Sequence, residues 1–366
     1  MNRRRKKITL FILTFVAMIV AKVLVLLLPS KYFYDNNRIV SMVNHDGLIP
    51  SWEGSYQTAA DVFSFLNVLK FNTMLEWSFT LGLLFTLLVS TFIFINCELD
   101  IYQELFWLCC IVLLNIYVFN IGKDSIQFCF FLFAYIVCCS NLSNYIKSFL
   151  IFILFYIESI YFRSYFILVA VFFIAIYFTT FRMQHFSKKV NSLSYYMILL
   201  LIVYAFLILS SVLFPNQYND VINARSGVND DREGSADANT MITNIIPGDS
   251  LLSSLLNYPI NAIRILIPLE LLLKGLSYLP FILFQITATI YLIKYSRNVL
   301  NRTITDSRSI LIYSVYLAFL LTSFFFEPDF GSCIRHEMAA FPVFQYLFFS
   351  SHCQFLTTGN KHKEIN

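Results

Sequence analysis

Charge is scarce in this chain: Asp, Glu, Lys and Arg make up 13% of its 366 residues, while hydrophobic residues supply 58% and aromatic ones 18%. No soluble core of this size hides so much apolar surface, which excludes a soluble globular protein and makes lipid the solvent for most of the chain. The signatures of soluble enzymes are missing as well. There is no Walker loop, dinucleotide fingerprint, HExxH, CxxC or G-x-S-x-G, so nothing points to ATP-driven transport or to a soluble cofactor site. No internal repeat of the kind found in many secondary transporters is visible. Of the eight cysteines, only Cys333 falls in a segment expected outside the membrane, where it has no partner, so no disulfide frame is implied. The others, Cys97 and Cys353 among them, behave as small hydrophobes in or beside helices.

Long apolar runs are what the chain does have. A bilayer core takes roughly 17 to 25 apolar residues per helix. Spans are predicted near Ile8 to Leu28, Leu75 to Ile95, Glu104 to Phe119, Ser125 to Cys139 and Phe149 to Tyr161. Five more are predicted near Ser164 to Phe181, Tyr195 to Phe214, Leu276 to Ile293, Ser309 to Phe326 and Glu337 to Phe355. The expected fold is therefore all-α: a polytopic integral membrane protein of about ten transmembrane helices in one membrane domain, 1–366. The first span, with Arg3 to Lys7 ahead of it and no small-residue cleavage site behind it, reads as a retained anchor. The forty Phe and twenty-two Tyr read mainly as bilayer-facing packing and interfacial belts.

Basic residues near helix ends set orientation. A cytoplasmic N-terminus keeps Arg182, Lys188, Lys189, Lys294, Arg297, Arg302, Arg308, Lys361 and Lys363 inside, so both termini are expected in the cytoplasm. The outside then receives two long loops, 29–74 and 215–275, and a short turn, 327–336. In the short exterior turns, Lys123, Arg163 and Arg335 each break the charge preference. Among buried cations Lys22 is the main exception to this outward crowding. The apolar segment Tyr258 to Leu273, interrupted by Arg264, Pro268 and Glu270, is expected to be interfacial or re-entrant, since a full crossing would move the basic loop after Ile293 outside.

These polar residues gather on one side. Asn120, Gly122, Lys123 and Asp124 form the turn between the third and fourth spans, with Asp124 placed to cap the fourth helix. Arg163 joins two spans almost without a loop, five residues after Glu158, an imperfect spacing for a helical salt bridge. The second long loop carries Arg225 and Arg232, and its apolar restart at Met241 to Ile246 turns it back toward the membrane. Glu327, Asp329, Arg335, His336 and Glu337 crowd one short turn between two apolar helices, at an insertion cost that an idle turn would avoid. Pro342 is expected to kink the helix that follows.

Arginine and lysine at a membrane surface bind a diphosphate by charge-assisted hydrogen bonds and stabilise it as it leaves a sugar. A nearby carboxylate or histidine takes the proton of an incoming sugar hydroxyl. Glu327-x-Asp329 also has the spacing of a metal-binding acidic pair, but Pro328 and the arginine surplus give a metal-free account, and neither metal nor cofactor is expected.

Asn-x-Gly-Lys-Asp at 120–124, Tyr-Phe-Arg at 161–163, Asn-Ala-Arg and Asp-Asp-Arg in the large loop, and Glu-Pro-Asp-Phe-Gly-Ser-x-x-Arg-His-Glu at 327–337 together resemble the Wzy-type polysaccharide polymerases, including EpsG-like relatives. The resemblance implies a bacterial inner-membrane glycosyltransferase, with a helical architecture related to the GT-C enzymes. Such an enzyme joins undecaprenyl-diphosphate-linked oligosaccharide repeats into O-antigen, capsular or exopolysaccharide chains outside the membrane. Lys123, Arg163, Arg225, Arg232 and Arg264 would then bind substrate. Arg335, Glu327, Asp329 and His336 would be catalytic, with Asp46 or Glu53 as further candidates for the base. Implied partners are the lipid-linked oligosaccharide, membrane lipid, and a chain-length regulator and flippase of the same pathway, with no nucleic acid. A flippase for lipid-linked oligosaccharides and a membrane acyltransferase for surface sugars are the alternatives.

Overall fold

The structure, a computed structural model, describes residues 3–96, 99–186, 191–213, 240–248 and 250–349. Arg225, Arg232, Cys97, Cys353, Lys188, Lys189, Lys361 and Lys363 lie outside them. Every regular element among the described residues is helical. Among the described residues eight helices are long and apolar enough to cross a membrane, and the protein is a polytopic all-α membrane protein.

The two remaining expected spans are not among these eight. Helix α6, Lys123–Cys139, has 17 residues, about 26 Å at a rise of ~1.5 Å per residue. The last expected span, Glu337 to Phe355, lies outside the described residues from 350 on; helix begins ahead of it at Phe330, breaks at Ala340 and resumes over 341–349. Pro342 explains the break, because it lacks the amide that would continue the preceding ladder. The expected turn 327–336 is therefore short. Asp329 accepts from the Ser332 amide at 2.7 Å and from its hydroxyl at 2.8 Å, which starts a helix at once and puts Arg335 and His336 on helical backbone.

Two compact units make up the chain: Met1–Tyr135, Ile157–Ser164 and Arg335–Asn366 form one, and Ile136–Tyr156 with Tyr165–Ile334 the other. In the first, α1 (Arg3–Leu27) packs on α4 (Met74–Asn96) and α5 (Ile101–Leu113). Helix α5 opens with a capping box, in which Asp100 accepts from the Gln103 amide and Gln103 returns the contact. It ends in a π-helical turn, Leu114–Val118.

The expected loop 29–74 is itself folded, into α2 (Tyr34–Asn44) and α3 (Ser55–Leu66). Ile39, Val40 and Val43 meet Ala59, Ala60 and Phe63 over Trp77 and Ile121 in a small core. Their three- and four-residue spacing is that of amphipathic helices rather than spans. Asn36 donates to the Ile121 carbonyl at 2.5 Å, tying α2 to the turn that precedes α6.

In the second unit, helix Ser307–Phe326 is the central element. Its spanning window is 89% buried, against 17% to 50% for the other helices of that unit, as expected of a helix that is apolar on all sides. Phe166–Phe186 packs closely along it, and Leu251–Leu266 and Leu279–Leu300 also belong to this unit. The apolar segment expected from Tyr258 starts earlier, at Leu251, where Ser250 caps the helix, and it ends at Leu266 before the short 3-10 turn Leu269–Leu273. At the restart after the second long loop, Ile242 is fully buried and its amide donates to the Pro328 carbonyl at 2.8 Å.

Candidate functional site

Within the first unit, three cations from three places in the sequence meet two carboxylates. Asp124, in the first turn of α6, is ion-paired by Arg163 and approached by Arg335 Nε at 3.3 Å. Arg335 Nη1 lies 3.7 Å from Asp35, in the first turn of α2. The Tyr56 hydroxyl, on α3, donates to the other oxygen of Asp35 at 2.7 Å. Lys123 stands 3.5 Å above the Tyr56 ring. His336 Nε2 is 3.7 Å from Asp124.

Electrostatics sort these groups. Burial alone would push the Asp124 carboxyl up, but Arg335, Arg163 and Lys123 outweigh it and hold the group below its ordinary value. Burial, then Arg163, Arg335 and Lys123, hold His336 well below the usual histidine range, so its imidazole is neutral near pH 7. Lys123 is lowered to about 8, first by burial and then by Arg163. Tyr56 is raised by burial and by Asp35, which keeps its proton on the hydroxyl as a donor to that carboxylate.

The turn that presents Lys123 and Asp124 is held from beneath. Lys22 Nζ, buried in α1, donates to the carbonyls of Asn115 and Phe119 at 2.8 and 2.9 Å and to Ser78 Oγ at 2.9 Å. The π-helical turn frees those carbonyls from the regular ladder. Gly82 makes the space, since a Cβ there would lie 2.3 Å from Lys22 Cε and 2.8 Å from Asn115 Oδ1. Gly122 does the same for Asn36, whose Nδ2 would meet a Cβ at 2.8 Å.

Of the expected site residues, Lys123, Arg163, Arg335 and His336 come together. Arg163 pairs with Asp124 rather than with Glu158, whose buried carboxylate oxygens have no hydrogen-bond partner. Asp46 accepts from Ser41 and from the Leu48 amide within its own loop. Glu327, Asp329 and Arg264 belong to the second unit. There Glu327 closes helix Ser307–Phe326 through its amide, Asp329 engages Ser332, and Arg264 grips Glu270 through two bonds of 2.7 and 2.8 Å and the Thr243 carbonyl through a third.

Asp35 and Tyr56 are the residues that sequence reading missed. Both sit in the segment expected to be a loop, and only the helical spacing of the apolar residues around them signals their placement. Asp124 was visible, but as a cap rather than as the centre of an ion cluster. Among the described residues no group of three or more His, Cys, Asp or Glu side chains is arranged to hold a metal ion.

Chemically, the cluster offers three cations, a neutral imidazole, and a carboxylate, Asp35, whose side chain is about one-third exposed (34%). Comparison of the chain with protein-family models, with curated proteins and with solved structures finds no match.

Proposed function

We propose that the protein is a polysaccharide polymerase of the bacterial cytoplasmic membrane, joining diphosphate-lipid-linked oligosaccharide repeats on the outer face, with both termini in the cytoplasm. The observation that carries this reading is the convergence of Lys123, Arg163 and Arg335 on Asp124 and Asp35. Cations gathered at one place suit an anion, and guanidinium groups suit the paired oxygens of a diphosphate.

In the proposed step, the acceptor hydroxyl attacks the anomeric carbon of the donor sugar. The new carbon–oxygen bond forms as the bond to the diphosphate oxygen breaks, and that oxygen keeps the electron pair. Lys123, Arg163 and Arg335 stabilise the charge that develops there. Asp124 fixes the two arginines, and its low proton affinity makes it a poor base. Asp35 takes the hydroxyl proton, being the carboxylate of this cluster that is open to an incoming group.

A deletion strain tests the reading through its surface glycan. Single repeats capped onto the surface support a polymerase. Repeats trapped inside the cell would point to a flippase, and full-length chains lacking an acyl group to an acyltransferase; either outcome overturns the proposal.

A further inference from the structure

The chain has three tryptophans. Trp77 and Trp107 are buried at 4% and 1% exposure, whereas Trp52, in the segment between α2 and α3, is 45% exposed. This open indole is packed on three sides by neighbouring side chains. The Arg38 guanidinium lies 3.4 Å from its ring centroid. Tyr56 and Tyr34 meet it edge to face, at 4.9 Å and 6.4 Å between centroids. Arg38 also donates to the Tyr34 hydroxyl and stacks on that ring at 4.7 Å.

Arg38 is an expensive brace. It is 2% exposed, and its Nε and Nη1 are buried without a hydrogen-bond partner. Burying an arginine with donors unfilled costs stability that a Met or Leu in its place would avoid. What the protein gets in return is an indole plate held in place while 45% of it stays open to solvent. A sugar ring matches such a plate, because its C–H face packs on an exposed aromatic plane.

We infer that Trp52, held by Arg38, Tyr34 and Tyr56, is the platform on which a pyranose ring of the acceptor glycan stacks. Tyr56 links the platform to the ion cluster, since its ring touches Trp52 and its hydroxyl binds Asp35. A ring seated on Trp52 therefore lies one side chain away from the carboxylate assigned as base. This inference rests on the polymerase reading, which it extends by naming how the acceptor is recognised.

Exposure makes the test direct, because Trp52 is the indole that acrylamide reaches. Purified full-length protein in detergent is titrated with repeat-unit oligosaccharide released by mild acid from the source strain's lipid carrier, and in parallel with inorganic pyrophosphate. The oligosaccharide is expected to protect Trp52 from quenching and pyrophosphate to leave it accessible. Trp52→Ala removes the quenchable fraction and weakens oligosaccharide binding on the order of tenfold, whereas Trp52→Phe retains most of the binding. Arg38→Lys keeps the charge but loses the planar stack, and is expected to weaken binding as well. Quenching unaffected by the oligosaccharide overturns the inference.

Surface-glycan ladders separate this failure from that of the underlying reading. A normal ladder from Trp52→Ala, with the ladder abolished by Arg335→Ala, sinks the platform alone. A normal ladder from Arg335→Ala sinks the reading itself.

Discussion

Arg163 and Asp124, 39 residues apart, form a largely buried ion pair with side-chain exposures of 8% and 11%. The pair joins the start of α6 to the link that follows helix Asn144–Tyr161, and Arg335 approaches the same carboxylate. Asp124→Asn removes the charge that both guanidinium groups face. Breaking a buried pair by deleting one partner costs about 3–5 kcal/mol, so the thermal midpoint of the detergent-purified protein is expected to fall by several degrees. An unchanged midpoint would show that Asp124 does not organise the cluster.

Asp35 is assigned the proton transfer, a contribution of roughly 10²- to 10⁴-fold. Asp35→Asn should slow chain extension by that order while leaving pyrophosphate binding within a few-fold of wild type. Asp35→Glu should recover part of the rate. If extension proceeds normally in the Asn variant, a different group takes the proton.

Gly82 faces the tip of a lysine that has no freedom to retreat, because Lys22 Nζ is fixed by oxygens from α4 and the π-helical turn. Gly82→Ala therefore overpacks the site, with an expected loss of about 1–3 kcal/mol. Lys22→Ala in the same background removes the clashing carbon, so the double variant is expected to be more stable than the sum of the single losses. Additive losses would contradict the contact.

The neutral state of His336 sets an acid limit. Burial, then Arg163, Arg335 and Lys123, disfavour the imidazolium in the folded chain, whereas the unfolded chain binds that proton as pH falls below about 6.5. More protons on the unfolded state means stability that declines as pH falls through that window and is complete above it. Asp124, also depressed, acts in the same direction only at lower pH. Between pH 7.5 and 5.5 the wild-type midpoint is expected to drop more than that of His336→Gln. Parallel curves for the two proteins would mean that His336 titrates normally.

Hydropathy made most of the membrane helices legible, because a 20-residue apolar run has few alternatives to spanning. It also located Lys123, Arg163, Arg335 and His336, since a charge at the edge of an apolar run stands out. The same method passed over Asp35, Tyr56, Arg38 and Trp52. Their helices are short and amphipathic, their apolar faces close on a local core, and their charges look like ordinary loop surface until partners from α6 and Arg335 arrive. For Asp124 a capping role and a functional one read equally well, because local spacing reveals a helix start, whereas its arginine partners come from remote parts of the chain. Arg264 and Glu270 were both noticed as interruptions, yet their pairing depends on the bend after Leu266, which hydropathy does not encode.

The cation cluster as the seat of chain extension is the claim on which the rest stands. Its most direct measurement is the surface-glycan ladder of cells carrying Arg335→Ala, beside wild type and Arg302→Ala at matched protein levels in the membrane. The ladder should collapse to single repeats for Arg335→Ala and keep its wild-type spread for Arg302→Ala. A full ladder from Arg335→Ala would contradict the account.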